Sequence, residues 1–262
     1  MTRYLWSVFT KPWGGLPGDE LGRLVARLGF AGAEIPVRDT AYVTPATAEA
    51  ELPKFVAQLR AEGVEPISIA SDLSESAFSA CAEAGVPIIR IMAGLGPDGY
   101  AASVRRTRAQ LEEVAGFTEQ YGVQVAVQQH HGRFVASSLG VLQLLEGLPR
   151  ERFRVIWDAA HDILAGDDPA VTLPLVADRL AMVNLKNVIY TATEETDDVG
   201  GAWKPWFVQG HEGLSNWSAI FRQLQAQDYT GPICLTGQYS DPSVPVESRL
   251  QVDLEAARQA AR

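Results

Sequence analysis

Three of the four histidines in this sequence follow short apolar segments. His130 and His131 come after Gln124–Gln128, and His161 comes after Arg154–Trp157. Imidazole gains and loses a proton near neutral pH and also ligates metals, so grouped histidines suit proton transfer or metal binding. A single histidine in such a place is more often a hydrogen-bonded structural residue. The grouping favours the functional interpretation.

A lysine, Lys186, directly follows another apolar segment, Ala181–Leu185. Its ammonium group must reach solvent at the strand end or pair with a buried carboxylate, for which Glu34 and Asp158 are the candidates. Either arrangement places Lys186 near a pocket. A fixed positive charge there could stabilise a developing oxyanion.

Such apolar segments recur eight times, each followed by a turn and a longer amphipathic stretch, which is typical of repeated βα units. The pattern predicts a single (β/α)₈ barrel over residues 1–262. An open doubly wound sheet is the alternative, but Phe9–Gly15 lacks a dinucleotide-binding glycine pattern. Helical periodicity is clear over Asp19–Leu28 and Ser103–Tyr121, and Val246–Ala261 would close the outer ring. The predicted strands are Tyr4–Phe9, Gly32–Pro36, Pro66–Ile69, Ile88–Met92, Gln124–Gln128, Arg154–Trp157, Ala181–Leu185 and Pro232–Thr236.

In a closed barrel the active site is built at the carboxyl ends of the strands, so polar residues there are the site candidates. The predicted catalytic residues are Glu34, Asp158, Lys186, His131 and His161. The predicted substrate-binding residues are Lys11, Trp13, Arg90, Gln129, Asn184, His211 and Gln238. We expect Lys11, Glu34, Arg90, His131, Asp158, Asn184 and Lys186 to converge in one cavity.

The longest segment without periodicity, residues 188–215, follows the seventh predicted strand. A loop of that length in a compact domain is usually a lid or a ligand-binding loop, so we predict a lid. Its aromatic residues are equally typical of a small core beneath the loop. Of the six tryptophans, Trp6, Trp157 and Trp217 are expected to pack in the core or on helices.

Composition excludes several classes of function. The net charge is −10 and no run of basic residues stands out, which argues against a nucleic-acid partner. Cys81 and Cys234 lie in apolar stretches without metal or redox spacing, so they are expected to be buried thiols, as in a cytoplasmic protein. The sequence shows neither a secretion signal nor a membrane span, and predicts no membrane partner. A homo-oligomer is left open.

Several motifs carry a family resemblance over nearly the whole chain: Gly32–Ile35, Gln129–Gly132, Trp157–His161, Val183–Asn187 and Leu235–Tyr239. With them the sequence resembles the xylose-isomerase-like, sugar phosphate isomerase/epimerase superfamily of barrels. The start Phe9–Trp13 is similar to that of uncharacterised bacterial members. The resemblance implies a sugar-like substrate bound at the strand ends.

The resemblance also implies four metal-ligand positions, which here are Gln129, Asp158, Asn184 and Gln238, with Thr236 an alternative for the last. Metal-dependent members use two glutamates, an aspartate and a histidine. Because only Asp158 keeps a charge, the site is expected to hold Mn, Mg or Zn weakly, and no tightly bound cofactor is predicted. His131 and His161 are possible replacement ligands.

Two functions are consistent with these residues. The first is a sugar or sugar-phosphate isomerase or epimerase, in which a carboxylate or histidine removes a proton next to a carbonyl and Lys186 stabilises the enolate. The second is a non-catalytic carbohydrate-binding barrel that has lost the family metal site.

Overall fold

The computed structural model describes residues 3–193 and 202–262. Eight parallel strands close into a barrel in the order β1-β10-β7-β6-β5-β4-β3-β2, as predicted, and β8 and β9 form a separate pair. The strands are β1 (Leu5–Phe9), β2 (Gly32–Pro36), β3 (Glu65–Ala70), β4 (Ile88–Ile91), β5 (Gln124–Gln128), β6 (Phe153–Asp158), β7 (Leu180–Leu185), β8 (Asn187–Thr193), β9 (Ala202–Val208) and β10 (Pro232–Leu235).

Helices surround the barrel and cover the outer face of the strands. They are α1 (Gly18–Arg27), α2 (Ala48–Ala61), α3 (Glu75–Ala84), α4 (Tyr100–Glu113), α5 (Ala115–Tyr121), α6 (Ser138–Leu144), α7 (Ala159–Leu164), α8 (Pro169–Val176), α9 (Trp217–Ala226) and α10 (Val246–Ala260). The eight barrel strands differ from the predicted ones by at most one residue at either end. Strands covered on both faces read as continuous apolar runs, which makes them easy to delimit.

Two cores follow from the alternation of side chains along each strand. The larger lies between strands and helices and contains Trp6, Trp157 and Trp217, as expected. The smaller fills the barrel itself, with Ala126 and Met182 among its residues. Towards the carboxyl ends the inward positions become polar. The buried polar residues at these positions are Glu34, Arg90, Gln128, Asp158 and Asn184.

Two predicted segments differ from the structure. The single helix predicted over Ser103–Tyr121 is divided into α4 and α5 at Val114, whose backbone angles (φ −88°, ψ 3°) leave the helical region. The predicted irregular segment 188–215 contains an antiparallel hairpin, in which β8 pairs with β9 from Asn187 opposite Val208 to Thr193 opposite Ala202. Residues 194–201 lie outside the described residues, and the lid remains a prediction.

Among the helices of residues 3–193 and 202–262, none combines the length and the apolar character needed to cross a bilayer.

Candidate active site

A cavity of about 390 Å³ opens at the carboxyl ends of the barrel strands. Its described lining includes four cationic side chains and no carboxylate. The cations are Lys11, Arg38, Arg90 and Lys186. Neutral polar side chains complete the wall: Gln128, His130, Asn184, Thr236, Gln238 and Tyr239. The cavity is therefore polar and positively charged, although the chain as a whole is acidic.

Lys186 and Arg90 are the two nearly enclosed cations of the cavity, with 6% and 5% of their side chains exposed. The Nζ atom of Lys186 lies 3.3 Å from Asp158 Oδ2 and donates to Gln238 Oε1 at 3.1 Å. A third neighbour is His161 Nε2, at 2.9 Å. Burial lowers the pKa of Lys186, and the Asp158 carboxylate opposes that shift by favouring the charged form. Of the two arrangements open to Lys186 from the sequence, the structure shows a pair with a carboxylate, Asp158, at the cavity wall.

Asp158 is held on both of its carboxylate oxygens. Oδ1 accepts the backbone N–H groups of Ala160 and His161, each at 3.1 Å, and so caps the start of α7. Oδ2 accepts from Gln128 Nε2 at 2.7 Å and faces Lys186. These contacts fix the carboxylate behind the ammonium group, and Asp158 lies outside the described lining of the cavity.

Glu34, the other predicted catalytic carboxylate, is also behind the cavity wall. It is fully buried, and its Oε1 accepts from Arg90 Nε at 2.6 Å and from Ser68 Oγ at 3.0 Å. Arg90 Nη1 in turn donates to Gln128 Oε1 at 2.7 Å. A continuous chain of hydrogen bonds thus joins Glu34 to Asp158 across the barrel, and each carboxylate faces one cation.

The three grouped histidines form a stack beside Lys186. The His131 and His161 rings are 4.9 Å apart at 26°, and the centroid of His130 lies 4.0 Å from that of His161. An ammonium group can only donate, so His161 Nε2 accepts from Lys186 and we assign the ring proton to Nδ1, which faces His131 Nδ1 at 3.2 Å. His130 is the member of the stack that lines the cavity.

The histidine stack is neutral at pH 7. Burial lowers the pKa of His130 to about 4 and also lowers that of His131. The pKa of His161 is far below its ordinary value, because the ring is buried and lies next to Lys186. His130 Nδ1 lies 2.8 Å from the His131 carbonyl, which can only accept. The proton is therefore on Nδ1, and Nε2 keeps a free lone pair.

Two buried polar atoms of the cavity wall have no partner within the described chain. They are Asn184 Oδ1 and Thr236 Oγ1. A buried polar atom left without a hydrogen bond costs about 1–3 kcal/mol, so both sites are suited to a ligand hydroxyl or to water. The prediction placed Asn184 at the site, but Thr236 was named only as an alternative ligand.

Three predicted substrate-binding residues lie away from the cavity. Gln129 is fully buried, and its amide fits between the Ile156 carbonyl and the Asp158 N–H at 2.8 and 3.1 Å. Trp13 donates from Nε1 to Glu247 at 2.7 Å and packs against the outer core. His211 is 61% exposed and lines a separate surface depression next to α9. Of the predicted binding residues, those that line the cavity are Lys11, Arg90, Asn184 and Gln238.

Of the seven residues expected to converge, Lys11, Arg90, Asn184 and Lys186 line the cavity. Glu34 and Asp158 contact its wall from behind, and His131 packs against His161. Arg38, Gln128 and His130 also line the cavity, although the prediction did not include them among the catalytic or substrate-binding residues. No sequence signal decides this register, because residues 125–127 are all apolar; in the structure Ala126 faces the barrel interior, and so does Gln128, two residues further along β5.

The residues present do not fit the divalent metal that the family resemblance implies. The inward positions at the ends of β5, β6 and β7 are Gln128, Asp158 and Asn184, and Thr236 follows β10. Asp158 supplies the one carboxylate, and its two oxygens already accept four groups. A hard cation there would displace these donors and lie beside an ammonium group.

The histidine stack offers a softer donor set, since ring nitrogens of His130, His131 and His161 lie within 4.8 Å of one another. The rings are stacked, however, and the two nitrogens of His161 face Lys186 and His131. An ion at this position would have to displace the ammonium group, so the histidine stack does not fit a metal ion either.

Comparisons with known proteins agree with this architecture. Residues 23–260 match the family described as xylose isomerase-like TIM barrel. An inosose dehydratase from Bacillus velezensis is 25% identical over 148 residues, which is 54% of this chain and 48% of the relative. A second, from Lacticaseibacillus casei, is 23% identical over 53% of this chain and 48% of the relative. The matched part thus spans about half the length of these curated relatives.

Among solved structures, a D-psicose 3-epimerase from Clostridium cellulolyticum with D-tagatose has a TM-score of 0.74 at 12% identity and covers 98% of this chain and 99% of that one. A D-allulose 3-epimerase from Methylomonas sp. in complex with D-allulose has a TM-score of 0.73 at 15% identity and covers 99% of this chain and 98% of that one. At these sequence identities the structural similarity shows that this chain shares the fold of these proteins.

Fold and cavity together define a closed (β/α)₈ barrel with a polar pocket at the carboxyl ends of its strands. The chain belongs to the xylose isomerase-like TIM barrel family.

Proposed function

We propose that this protein is an isomerase or epimerase that moves a proton next to the carbonyl group of a sugar or sugar-like substrate. The observation that carries the proposal is the Lys186 ammonium group, which is enclosed at the barrel mouth and faces the cavity. In this protein the lysine would supply the positive charge that a metal supplies in other members of the family. The relatives described as sugar epimerases and inosose dehydratases support a carbohydrate substrate.

The proposed role of Lys186 is to stabilise the enolate oxygen that forms when the proton leaves. A charge preorganised in a poorly solvated site acts strongly on a developing oxyanion. One of its present partners, the side-chain amide of Gln238, comes from a loop residue that also lines the cavity. We propose that the substrate carbonyl oxygen takes the place of that amide. Asp158 and His161 would then keep the ammonium group in position.

The proposed base is His130, whose Nε2 has a free lone pair. Its nitrogen would take the proton from the carbon next to the carbonyl, and the electron pair of that C–H bond would form the enediolate. His130 then returns the proton to the neighbouring carbon, the former carbonyl carbon. Transfer of the proton of the hydroxyl on the deprotonated carbon to the enolate oxygen completes an isomerisation. Since one histidine and no carboxylate line the described cavity, a single base acting on one face is the mechanism that these residues favour.

One observation favours the alternative, a carbohydrate-binding barrel without chemistry. His130 is a weak base, because burial lowers its pKa to about 4, and both carboxylates are bound behind the wall. Asn184 Oδ1 and Thr236 Oγ1 could hold substrate hydroxyls without any reaction. The two functions differ in whether the ligand is converted to an isomer, with entry of solvent hydrogen wherever the proton on His130 exchanges before it returns.

The experiment is a screen of aldoses, ketoses and their phosphates in deuterated water, monitored by NMR. We expect the wild type to introduce deuterium next to a carbonyl, and Lys186→Met to slow this about a hundredfold or more, as does loss of an oxyanion donor. Lys54→Met, on the exposed side of α2, is the control for loss of one positive charge. Lys186→Gln, which keeps a polar group beside Asp158, serves if the methionine variant does not fold.

Equal exchange in the wild type and in folded Lys186 variants would remove Lys186 from the mechanism. Absence of both deuterium exchange and isomer formation in a ligand that demonstrably binds would favour the binding function instead.

A further inference from the structure

We infer that the ligand carries an anionic group, a carboxylate or a phosphate, which Arg38 binds together with Lys11 and the free end of Arg90. The inference deepens the proposed function by naming the class of sugar-like ligand, and it rests on that function only for the sugar-like part. It concerns the side of the cavity formed by the residues after β1 and β2.

Charge at the cavity is unbalanced on this side. Arg90 contacts Glu34 at 2.6 Å and Lys186 contacts Asp158 at 3.3 Å, so each of these two cations has a carboxylate. Lys11 and Arg38 line the same cavity, and neither forms an ion pair or a side-chain hydrogen bond within residues 3–193 and 202–262. In a chain with a net charge of −10, two uncompensated cations in one pocket indicate an anionic ligand.

Arg38 is the more informative of the two, because it is half-buried. Its guanidinium carbon lies 5.8 Å from the centroid of the Phe9 ring, and that of Arg90 lies 4.8 Å from the same ring. Burial lowers the pKa of Arg38, the nearby charge of Arg90 lowers it further, and the more distant Glu34 carboxylate opposes both without bonding Arg38. Two guanidinium groups are thus held against one aromatic ring, and an anion between them would relieve their repulsion.

The backbone holds Arg38 in this position. Its N–H donates to the Val43 carbonyl, and its own carbonyl accepts from Ala41. The side chain is therefore positioned by a local turn, while its planar set of N–H donors stays available for the two oxygens of a carboxylate or a phosphate. Arg90 Nη2 offers a further donor, since Nε and Nη1 are the atoms that bond Glu34 and Gln128.

Barrel order separates this anion site from Lys186. β1 and β2 are neighbours, whereas β7 is separated from β1 by β10. An extended ligand can therefore place its carbonyl near Lys186 and its anionic end near Arg38. A second cavity of about 880 Å³ shares Arg38, Arg90 and Met92 with the first. Its lining also includes the carboxylates of Asp39, Asp72 and Glu113, so it does not extend the anion site.

The test compares matched acid and alcohol probes by calorimetric titration: D-gluconate against D-glucitol, with inorganic phosphate as the second anion. Charge-assisted hydrogen bonds predict that gluconate or phosphate binds about tenfold or more tightly than glucitol at low salt. Arg38→Met is expected to remove this preference. Arg222→Met, an exposed position on α9, changes the net charge equally and should leave the preference unchanged.

Preference for gluconate would identify a sugar acid as the source of the anion, and preference for phosphate a sugar phosphate. Equal binding of gluconate and glucitol, an unchanged preference in Arg38→Met, or no saturable binding of either anion at millimolar concentration would overturn the inference. Binding is measured without turnover. Anion preference without deuterium exchange would therefore reject only the proposed reaction, and exchange in neutral sugars alone would reject only the anion site.

Discussion

The two sides of the cavity differ in how their charges are compensated. On the β6–β7 side, Lys186, Asp158 and His161 contact one another within 2.9–3.3 Å and are almost completely buried. On the β1–β2 side, Lys11 and Arg38 have no acidic partner in the described chain. A paired and buried group keeps its geometry without a ligand, which suits a catalytic role. Unpaired cations at an opening suit the capture of an anion.

The largest expected effect tests this difference through stability. Asp158→Ala leaves Lys186 buried without its counter-ion, which typically costs about 3–5 kcal/mol. Arg38→Met, in contrast, removes no internal ion pair and should change the free energy of unfolding by at most about 1 kcal/mol. Urea unfolding followed by circular dichroism measures both. Similar losses in the two variants would contradict the proposed division of the cavity.

A smaller effect is expected from acidification, and it should arise from the histidine stack. His130, His131 and His161 all have pKa values below those of exposed histidine, so the unfolded chain binds more protons than the folded one. Their contribution to stability is therefore complete above about pH 6.5 and is lost as the pH falls towards the folded values, near 4 for His130.

Asp162 acts in the opposite direction. Burial raises its pKa to about 6, so the contribution of Asp162 to the stability of the protein is lost as the pH rises from about 4 to 6. Unfolding measured from pH 4 to 8 in the wild type and in His130→Asn separates the two contributions. We expect the variant to depend less steeply on pH. An unchanged slope would show that His130 does not titrate in this range.

The sequence predicts the barrel well because its signal is local. Most barrel strands are near-continuous apolar runs, and the polar residues that they contain near their carboxyl ends, such as Glu34, Arg90 and Asn184, lie at the barrel mouth. The register within those ends was harder to predict. Gln128, Gln129, His130 and His131 are four consecutive polar residues, and hydrophobic alternation cannot decide which of them faces inward.

The carboxylate that pairs with Lys186 could not be predicted either, for a different reason. Glu34 and Asp158 were both candidates for Lys186, and the choice depends on contacts across the barrel, since Arg90 on β4 takes Glu34. The hairpin of β8 and β9 was missed because its faces alternate only weakly. Tyr190 and Trp203 are large residues that are 45% and 64% exposed, which the usual apolar-inside pattern does not anticipate.

The smallest effect is expected from removing metal ions. This experiment tests whether Lys186, and not a metal ion, supplies the positive charge on the β6–β7 side of the cavity. Elemental analysis of protein purified without chelator should find well under one divalent ion per chain, because Asp158 is the one carboxylate at the four strand-end positions and already faces an ammonium group. Treatment with chelator should then leave the thermal unfolding midpoint and any deuterium exchange unchanged.

The informative contrast is with Lys186→Ala. If the ammonium group excludes the ion, this variant frees Asp158 and the histidine stack for Zn or Mn, and added metal should raise its unfolding midpoint more than that of the wild type. Stoichiometric metal in the wild type that disappears in Asp158→Ala would show the reverse: the β6–β7 side would then be a metal site, with His131 or His161 as replacement ligands. In that case Lys186 could no longer be assigned the role of the family metal, whereas the anion site would keep Arg38 and Lys11, neither of which bonds Asp158; Arg90 is joined to Asp158 through Gln128.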